Sequence, residues 1–190
     1  KGAIHYLKES EIEENKNYLN SFLKKDGRKI WCLILGGPTK YYDYSTKNLK
    51  HIFSIFYKLL KKHAFQLVVI PSMRTPLSTI HYAKEFFGEN HTVIMKVDKK
   101  AYLSALAISE NIIVTCDSSS MVSEAALTGK PIYIANILPK KNDIRFQRFR
   151  NLFRELNITR NLGEDIEIWD YPKLDETNRV ANIIKQRISN

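Results

Sequence analysis

Asn111-Ile-Ile-Val-Thr115, then Cys116-Asp-Ser-Ser-Ser-Met-Val-Ser-Glu-Ala-Ala-Leu-Thr-Gly-Lys-Pro131, then Ile132-Tyr-Ile-Ala135, carries the clearest architectural signal in the chain. Two short apolar runs enclose a polar turn, a helix-length segment and a glycine, which reads as strand, turn, short helix, stop and strand. The hydroxyls of Ser118, Ser119 and Ser120 then fall at a helix N-terminus, where free backbone N–H groups and the positive end of the helix dipole favour an anion. Glu124 follows one turn later on the same face as Ser120, placed to accept from sugar hydroxyls. With Ser120 as cap, the third helical position is Ser123, so Glu124 is out of register for a capping box. The bland alternative for Glu124 is an exposed surface carboxylate, and for Asp117 a turn-shaping side chain.

Working outward, the same alternation recurs. Ile30–Leu35 is a continuous apolar run broken by Gly36-Gly37-Pro38, the pattern of a buried strand feeding a loop. Ser45 to His63 carries Leu49, Ile52, Phe53, Phe56, Leu59 and Leu60 on one helical face. A strand is expected over 65–70, a loop over Pro71-Ser-Met-Arg-Thr-Pro76, a helix over 77–87, a strand over 92–97 and a helix capped by Asp98 through Ser109. Helices are also expected over 10–25, 145–157 and 176–189. Strands alternating with helices predict an α/β fold, a three-layer Rossmann-like parallel sheet with helices on both faces. Ligands of such sheets sit beyond the carboxyl ends of the strands, which unites the Gly36-Gly37 loop, the Arg74-Thr75 loop and the Asp117–Ser120 turn as one candidate site.

The individual motifs differ in weight. In Gly36-Gly37-Pro38-Thr39-Lys40 the glycines let backbone approach a pyrophosphate, with Thr39 and Lys40 as donors, but ordinary turn chemistry explains the pair equally well. No third glycine completes a dinucleotide fingerprint, and Gly129-Lys130-Pro131 fails the P-loop pattern. Gly129 reads as a helix stop, and Lys130 as a cation at the negative end of a helix. Arg74, among small polar residues, suits phosphate. The triple serine lacks a nucleophile elbow and a nearby base. The five histidines have no metal-ligand spacing, so no metal or cofactor is expected.

The chain has 190 residues, 44% hydrophobic and 26% charged, enough for one real core. Cys32 and Cys116 read as buried free thiols. No apolar run approaches the roughly 20 residues that cross a bilayer, and a soluble intracellular location is the default expectation. Lys1 enters mid-element without Met, so the chain is expected to be a piece whose N-terminal part is missing. A net charge of +10 favours anionic partners. The densest basic run, Lys140 to Arg160, interleaves Phe146, Phe149, Phe153 and Leu156 at helical spacing, which makes those rings a core stripe and most of the arginines a solvated face.

The residues resemble the mitochondrial fission "elongated mitochondria" (ELM-like) family. The matches, in order over nearly the whole chain, are Gly36-Gly37, Ser72–Pro76, Asp117 to Ala125, Gly129-Lys130-Pro131, Arg145 to Phe149 and Trp169-Asp170-Tyr171-Pro172. The family usually has a second Arg where Met73 stands. The resemblance implies the C-terminal half of a GT-B-like fold, binding a nucleotide-diphosphate sugar through Gly36, Gly37, Thr39, Lys40, Arg74, Thr75, Asp117, Ser118, Ser119, Ser120, Met121 and Glu124, the last on ribose hydroxyls. Residues 1–28 would then be a linker or remnant of the missing N-terminal domain, 29–172 the nucleotide-binding domain, and 173–190 a helix packing back toward that missing domain. An enzyme of this kind would be a metal-independent glycosyltransferase, and no catalytic residue is identifiable in this chain. The family also implies an alternative, a non-catalytic interaction protein, cytoplasmic and peripheral to an anionic membrane surface, working through a dynamin-like partner. Nucleic acid is disfavoured, since charge alone supports it.

Overall fold

The computed structural model describes residues 1–189. Its strands are β1 (Lys29–Leu35), β2 (Phe65–Pro71), β3 (Thr92–Val93), β4 (Asn111–Thr115), β5 (Ile132–Ala135) and β6 (Thr159–Asn161). The helices are α1 (Glu9–Glu14), α2 (Thr46–Lys62), α3 (Leu77–Phe87), α4 (Lys99–Ile108), α5 (Ser119–Ala125), α6 (Ile144–Glu155) and α7 (Glu176–Ile188). All strands pair in parallel, in the order β3-β2-β1-β4-β5-β6. The chain therefore walks outward from β1 to β3, returns across the sheet, and walks outward the other way from β4. By the right-handed rule for parallel crossovers, this order puts α2 and α3 on one face and α4, α5 and α6 on the other, the three-layer arrangement expected from the alternation. Every residue of β2, β4 and β5 is buried, because both faces of the sheet are covered.

The apolar stripe of α2 lies where its period requires. Leu49, Ile52, Phe53, Phe56 and Leu59 are buried, and the Phe53 ring sits 5.4 Å from Tyr82 and 4.9 Å from Phe87 of α3. In α6, Phe153 is fully buried and Phe146 and Phe149 are half-buried against the core, so these rings are packing residues.

Two local expectations are corrected, and one strand, β6, is additional to those expected. The helix expected over 10–25 breaks after Glu14 and resumes only as a 3-10 turn at Tyr18–Ser21. The Asn15 side chain donates to the Glu11 carbonyl at 2.8 Å, which competes with the backbone for that acceptor. The strand expected over 92–97 is only two residues long. Ile94 still donates to Val69 O at 3.0 Å, but Met95 and Val97 turn out to solvent at the sheet edge. The polar edge strand β6 has no apolar alternation to announce it.

Residues 1–28 pack on the domain. Ile12 and Leu19 join the core, Leu19 N–H donates to Ser104 Oγ at 3.1 Å, and the Tyr18 hydroxyl donates to Asp98 at 2.8 Å. The first turn of α7 is tied to the same segment through Thr177 and His5, whereas Ile183, Ile184 and Ile188 farther along are exposed. Among the described residues no helix is long and apolar enough to cross a membrane.

Candidate functional site

The strand order reverses between β1 and β4, so a crevice opens beyond the carboxyl ends of these two strands. β1 delivers Gly36 and Gly37 there, β2 delivers Ser72–Thr75, and β4 delivers Cys116–Ser118 and the start of α5. Thr39, Ser72, Met73, Arg74, Asp117, Ser118, Ser119, Ser120, Met121 and Phe146 line one hollow of about 470 Å³.

Asp117 organises this edge from below. Its side chain is fully buried, and its carboxylate accepts from Arg74 Nη2 at 2.8 Å, from Gly37 N–H at 3.1 Å and from the Tyr44 hydroxyl. Tyr44 also reaches Thr115 Oγ1 at 2.8 Å, and that oxygen accepts from Gly36 N–H at 2.8 Å. Burial, with the Asp117 charge beside it, pushes the Tyr44 phenol well above its usual pKa, so Tyr44 stays a donor. A buried carboxylate bound this way is a framework for the loops rather than a group free for a ligand.

The glycine loop has a steric reason. A Cβ at Gly36 would stand 2.1 Å from Asp117 Oδ2, and one at Gly37 would stand 1.9 Å from the Arg74 carbonyl oxygen. No side chain fits at either position. Thr75 is likewise internal, its single hydroxyl proton shared between Leu35 O and Gly36 O at 2.8 and 2.6 Å. Arg74 donates to Gly37 O at 3.2 Å as well as to Asp117, and its charge is offset by that pair.

The cap of α5 is Ser118, two residues earlier than the register assumed from the sequence. Its Oγ accepts from Met121 N–H at 3.4 Å. Ser120 therefore sits at the second helical position, exposed, and among the described residues its hydroxyl makes no hydrogen bond. Glu124 is on the same face of α5 but lines a different hollow of about 390 Å³, with Tyr6, Glu11, Lys99 and Tyr102. The Tyr102 hydroxyl donates to Glu124 Oε2 at 2.6 Å. Burial and the Glu124 charge raise the Tyr102 pKa well above its usual range.

Thr39 is held at the rim, its Oγ1 accepting from Tyr41 N–H and Tyr42 N–H at 3.0 and 3.1 Å. Lys40 is not among the residues lining the hollow; its ammonium lies 5.0 Å from the Tyr41 ring centroid. The loop is pinned to the 136–143 segment by the Tyr42–Pro139 bridge and by a second buried network. There Asp143 accepts from the Tyr42 hydroxyl and from Arg150 Nη2 at 3.0 Å, and Arg150 Nη1 donates to Tyr42 at 2.8 Å. Burial works against the Asp143 charge, yet bonds from Tyr42, Arg150 and Gln147 hold its carboxyl below the usual range. Arg150 thus leaves the solvated face assigned to most of this basic run.

Lys130 also differs from a cap of its own helix. Its ammonium donates to Leu106 O at 2.9 Å and to Ala107 O, closing the negative end of α4, while Gly129 adopts φ +70° as the stop after α5. Tyr44, Thr115, Ser72 and Phe146 belong to this edge without being among the candidate site residues that the sequence suggests. The cluster Tyr41-Tyr42-Asp43-Tyr44 directly after a glycine loop was the available signal for the first. Among the described residues no three His, Cys, Asp or Glu side chains gather as metal ligands.

The family described as Mitochondrial fission ELM1 matches residues 1–188. The mitochondrial fission protein ELM1 of Arabidopsis thaliana is 31% identical over 193 residues, covering 99% of this chain and 44% of that protein. An uncharacterised protein of Rickettsia prowazekii (strain Madrid E) is 31% identical over 169 residues, covering 83% of this chain and 46% of that protein. The chain spans about half the length of the curated relatives it matches. Among solved structures, the UDP-GlcNAc 2-epimerase of Methanocaldococcus jannaschii, in complex with UDP-GlcNAc and UDP, aligns with a TM-score of 0.58 at 16% identity over 92% of this chain and 49% of that one. The Neisseria meningitidis UDP-GlcNAc 2-epimerase bound to UDP-GlcNAc aligns at 0.51 and 15% over 93% and 40%. At such identities the likeness is one of fold, and it agrees with the Rossmann-like architecture.

Proposed function

Because this chain belongs to the mitochondrial fission ELM1 family, we propose that it is the C-terminal, nucleotide-binding half of a GT-B-like protein and takes a nucleotide-diphosphate sugar. One observation carries the reading: the loops after β1, β2 and β4 converge on a single hollow at the point where strand order reverses. In this reading the diphosphate meets the first-turn N–H groups of α5 and the Ser118, Ser119 and Ser120 hydroxyls, with Thr39 at the rim. Gly36, Gly37, Thr75 and Asp117 shape the cradle, Arg74 orients its edge, and Met121 borders it. Glu124, which lines the second hollow and has one oxygen bonded to Tyr102, would offer its other oxygen to ribose hydroxyls only of a ligand that reaches from the first hollow along α5 into the second. Lys40 contributes only long-range positive charge.

That two epimerases of this fold were solved with UDP-GlcNAc makes a UDP sugar the first ligand to test. Transfer of the sugar requires an acceptor pocket and a base from an N-terminal domain. With them the protein would act as a metal-independent glycosyltransferase, helix dipoles and basic side chains offsetting leaving-group charge. Calorimetric titration of UDP, GDP and ADP sugars into the chain, and into a longer form carrying its N-terminal domain, tests the reading. Saturable heat that Glu124→Ala reduces supports it; no heat with any donor in the longer form refutes it.

A second reading is a cytoplasmic, membrane-peripheral interaction protein. The exposed Arg145 and Arg148 on α6 favour it, since neither has a carboxylate partner among the described residues. Co-sedimentation with anionic vesicles, and pull-down of a dynamin-like partner, test it with Arg148→Glu. Arg150 is unsuitable, because reversing its charge would break the Asp143 network.

A further inference from the structure

A separate recess of about 210 Å³ opens between α6 and the carboxyl ends of β5 and β6 and shares no lining residue with the hollow at the strand-order reversal. Arg150, Arg154 and Arg160 line it together with the carboxamides of Asn136, Asn151 and Asn161, and no carboxylate is among its lining residues. Two of the guanidinium groups are held in place. Arg150 is fixed by Asp143 and Tyr42, and Arg160 lies 4.3 Å from the Trp169 ring centroid while pairing with Glu167. Arg154 bonds only to Asn151 Oδ1, at 3.2 Å, and among the described residues it has no carboxylate partner. Three guanidinium groups thus meet two carboxylates, and both carboxylates stand outside the recess wall. The charge in excess is that of Arg154, which lines the recess.

We propose that this recess is a second anion site that takes a phosphate monoester. Arg150 and Arg154 are one helical turn apart on the same face of α6, and Arg160 approaches from β6, so the three forks come from two sides. Such a tripod suits the three free oxygens of a monoester better than the two of a diester or a carboxylate. Pre-held side chains lose little freedom on binding. At about 210 Å³ the recess is smaller than the roughly 300 Å³ at which drug-sized sites begin, a size that matches a phosphoryl group on a small hydroxylated skeleton, with the carboxamides meeting the hydroxyls.

The test is calorimetric titration of inorganic phosphate into the chain and into Arg154→Gln, a substitution of an exposed residue, with thermal unfolding as the folding control. The expected result is saturable binding of one equivalent that Arg154→Gln weakens about tenfold or more at unchanged unfolding temperature, with excess UDP failing to displace it. Absence of saturable binding, an unaffected Arg154→Gln variant, or displacement by UDP would each overturn the proposal. Glycerol 3-phosphate in solution and phosphatidylcholine vesicles doped with phosphatidic acid then separate the two sources of a monoester. Arg154-dependent binding of the first assigns a soluble metabolite, and of the second a lipid headgroup; binding of neither overturns the site.

Discussion

Arg74 Nη2 lies 2.8 Å from Asp117 Oδ2, and this pair ties the loop after β2 to the turn after β4 across the two glycines that end β1. The partners are unequal: the Asp117 side chain is fully buried, whereas 42% of the Arg74 side chain is exposed. Arg74→Ala leaves Asp117 still bonded to Gly37 N–H and Tyr44, and is expected to cost about 1–3 kcal/mol. Asp117→Ala removes the common acceptor of all three donors and is expected to cost about 3–5 kcal/mol. Urea unfolding of both variants checks the order, and equal losses would contradict the hub role of Asp117.

Gly37→Ala forces a Cβ against the Arg74 carbonyl, a backbone atom that cannot swing aside. A loss of at least about 1–3 kcal/mol is expected, and Gly36→Ala, against the Asp117 carboxylate, should behave alike. Gly163→Ala has open space around its Cβ and serves as the control, with a change within about 0.5 kcal/mol.

Ser118 and Ser120 separate stability from ligand binding. Ser118→Ala removes the α5 cap and should lower stability by about 1 kcal/mol. Ser120→Ala removes a hydroxyl free of protein partners and should leave the unfolding curve in place while weakening binding of UDP. A Ser120→Ala variant that binds UDP as tightly as the parent would remove Ser120 from the phosphate cradle.

His91 carries a pH dependence. Burial, reinforced by the Arg28 charge, lowers its pKa from 6.5 to about 4, and its Nδ1 accepts from Leu67 N–H at 3.1 Å. The folded protein keeps the ring neutral while the unfolded chain takes up a proton below pH 6.5. Its contribution is therefore complete above pH 6.5 and is lost as pH falls toward about 4, at close to 1.4 kcal/mol per pH unit. In His91→Asn, which keeps an acceptor but cannot titrate there, the difference from the parent in unfolding free energy should shrink over that window.

Particular elements show what was legible in the chain. The apolar runs of β1, β2, β4 and β5 and the stripe of α2 could be read directly, because burial on both faces or on one helical face leaves a periodic trace. The edge strand β6 and the break after Glu14 could not, since one is polar and the other depends on a single Asn side chain bonding to backbone. The gathering of Thr39, Arg74 and the α5 start was legible as loops at one sheet edge. The duties of their side chains were not. Asp117 and Thr75 looked like ligand groups and are bonded internally, while Glu124 shares a face with Ser120 yet opens onto another hollow.

The parallel α/β class, the order of the buried strands and main helices, and the sheet edge where the loops gather are written in the residues, because they follow from short-range periodicity and chain direction. Which polar groups remain free is settled by long-range packing. Whether a carboxylate or guanidinium is spent depends on partners such as Asp117 and Arg74, 43 positions apart in the chain, brought within 2.8 Å by strand order rather than by sequence spacing.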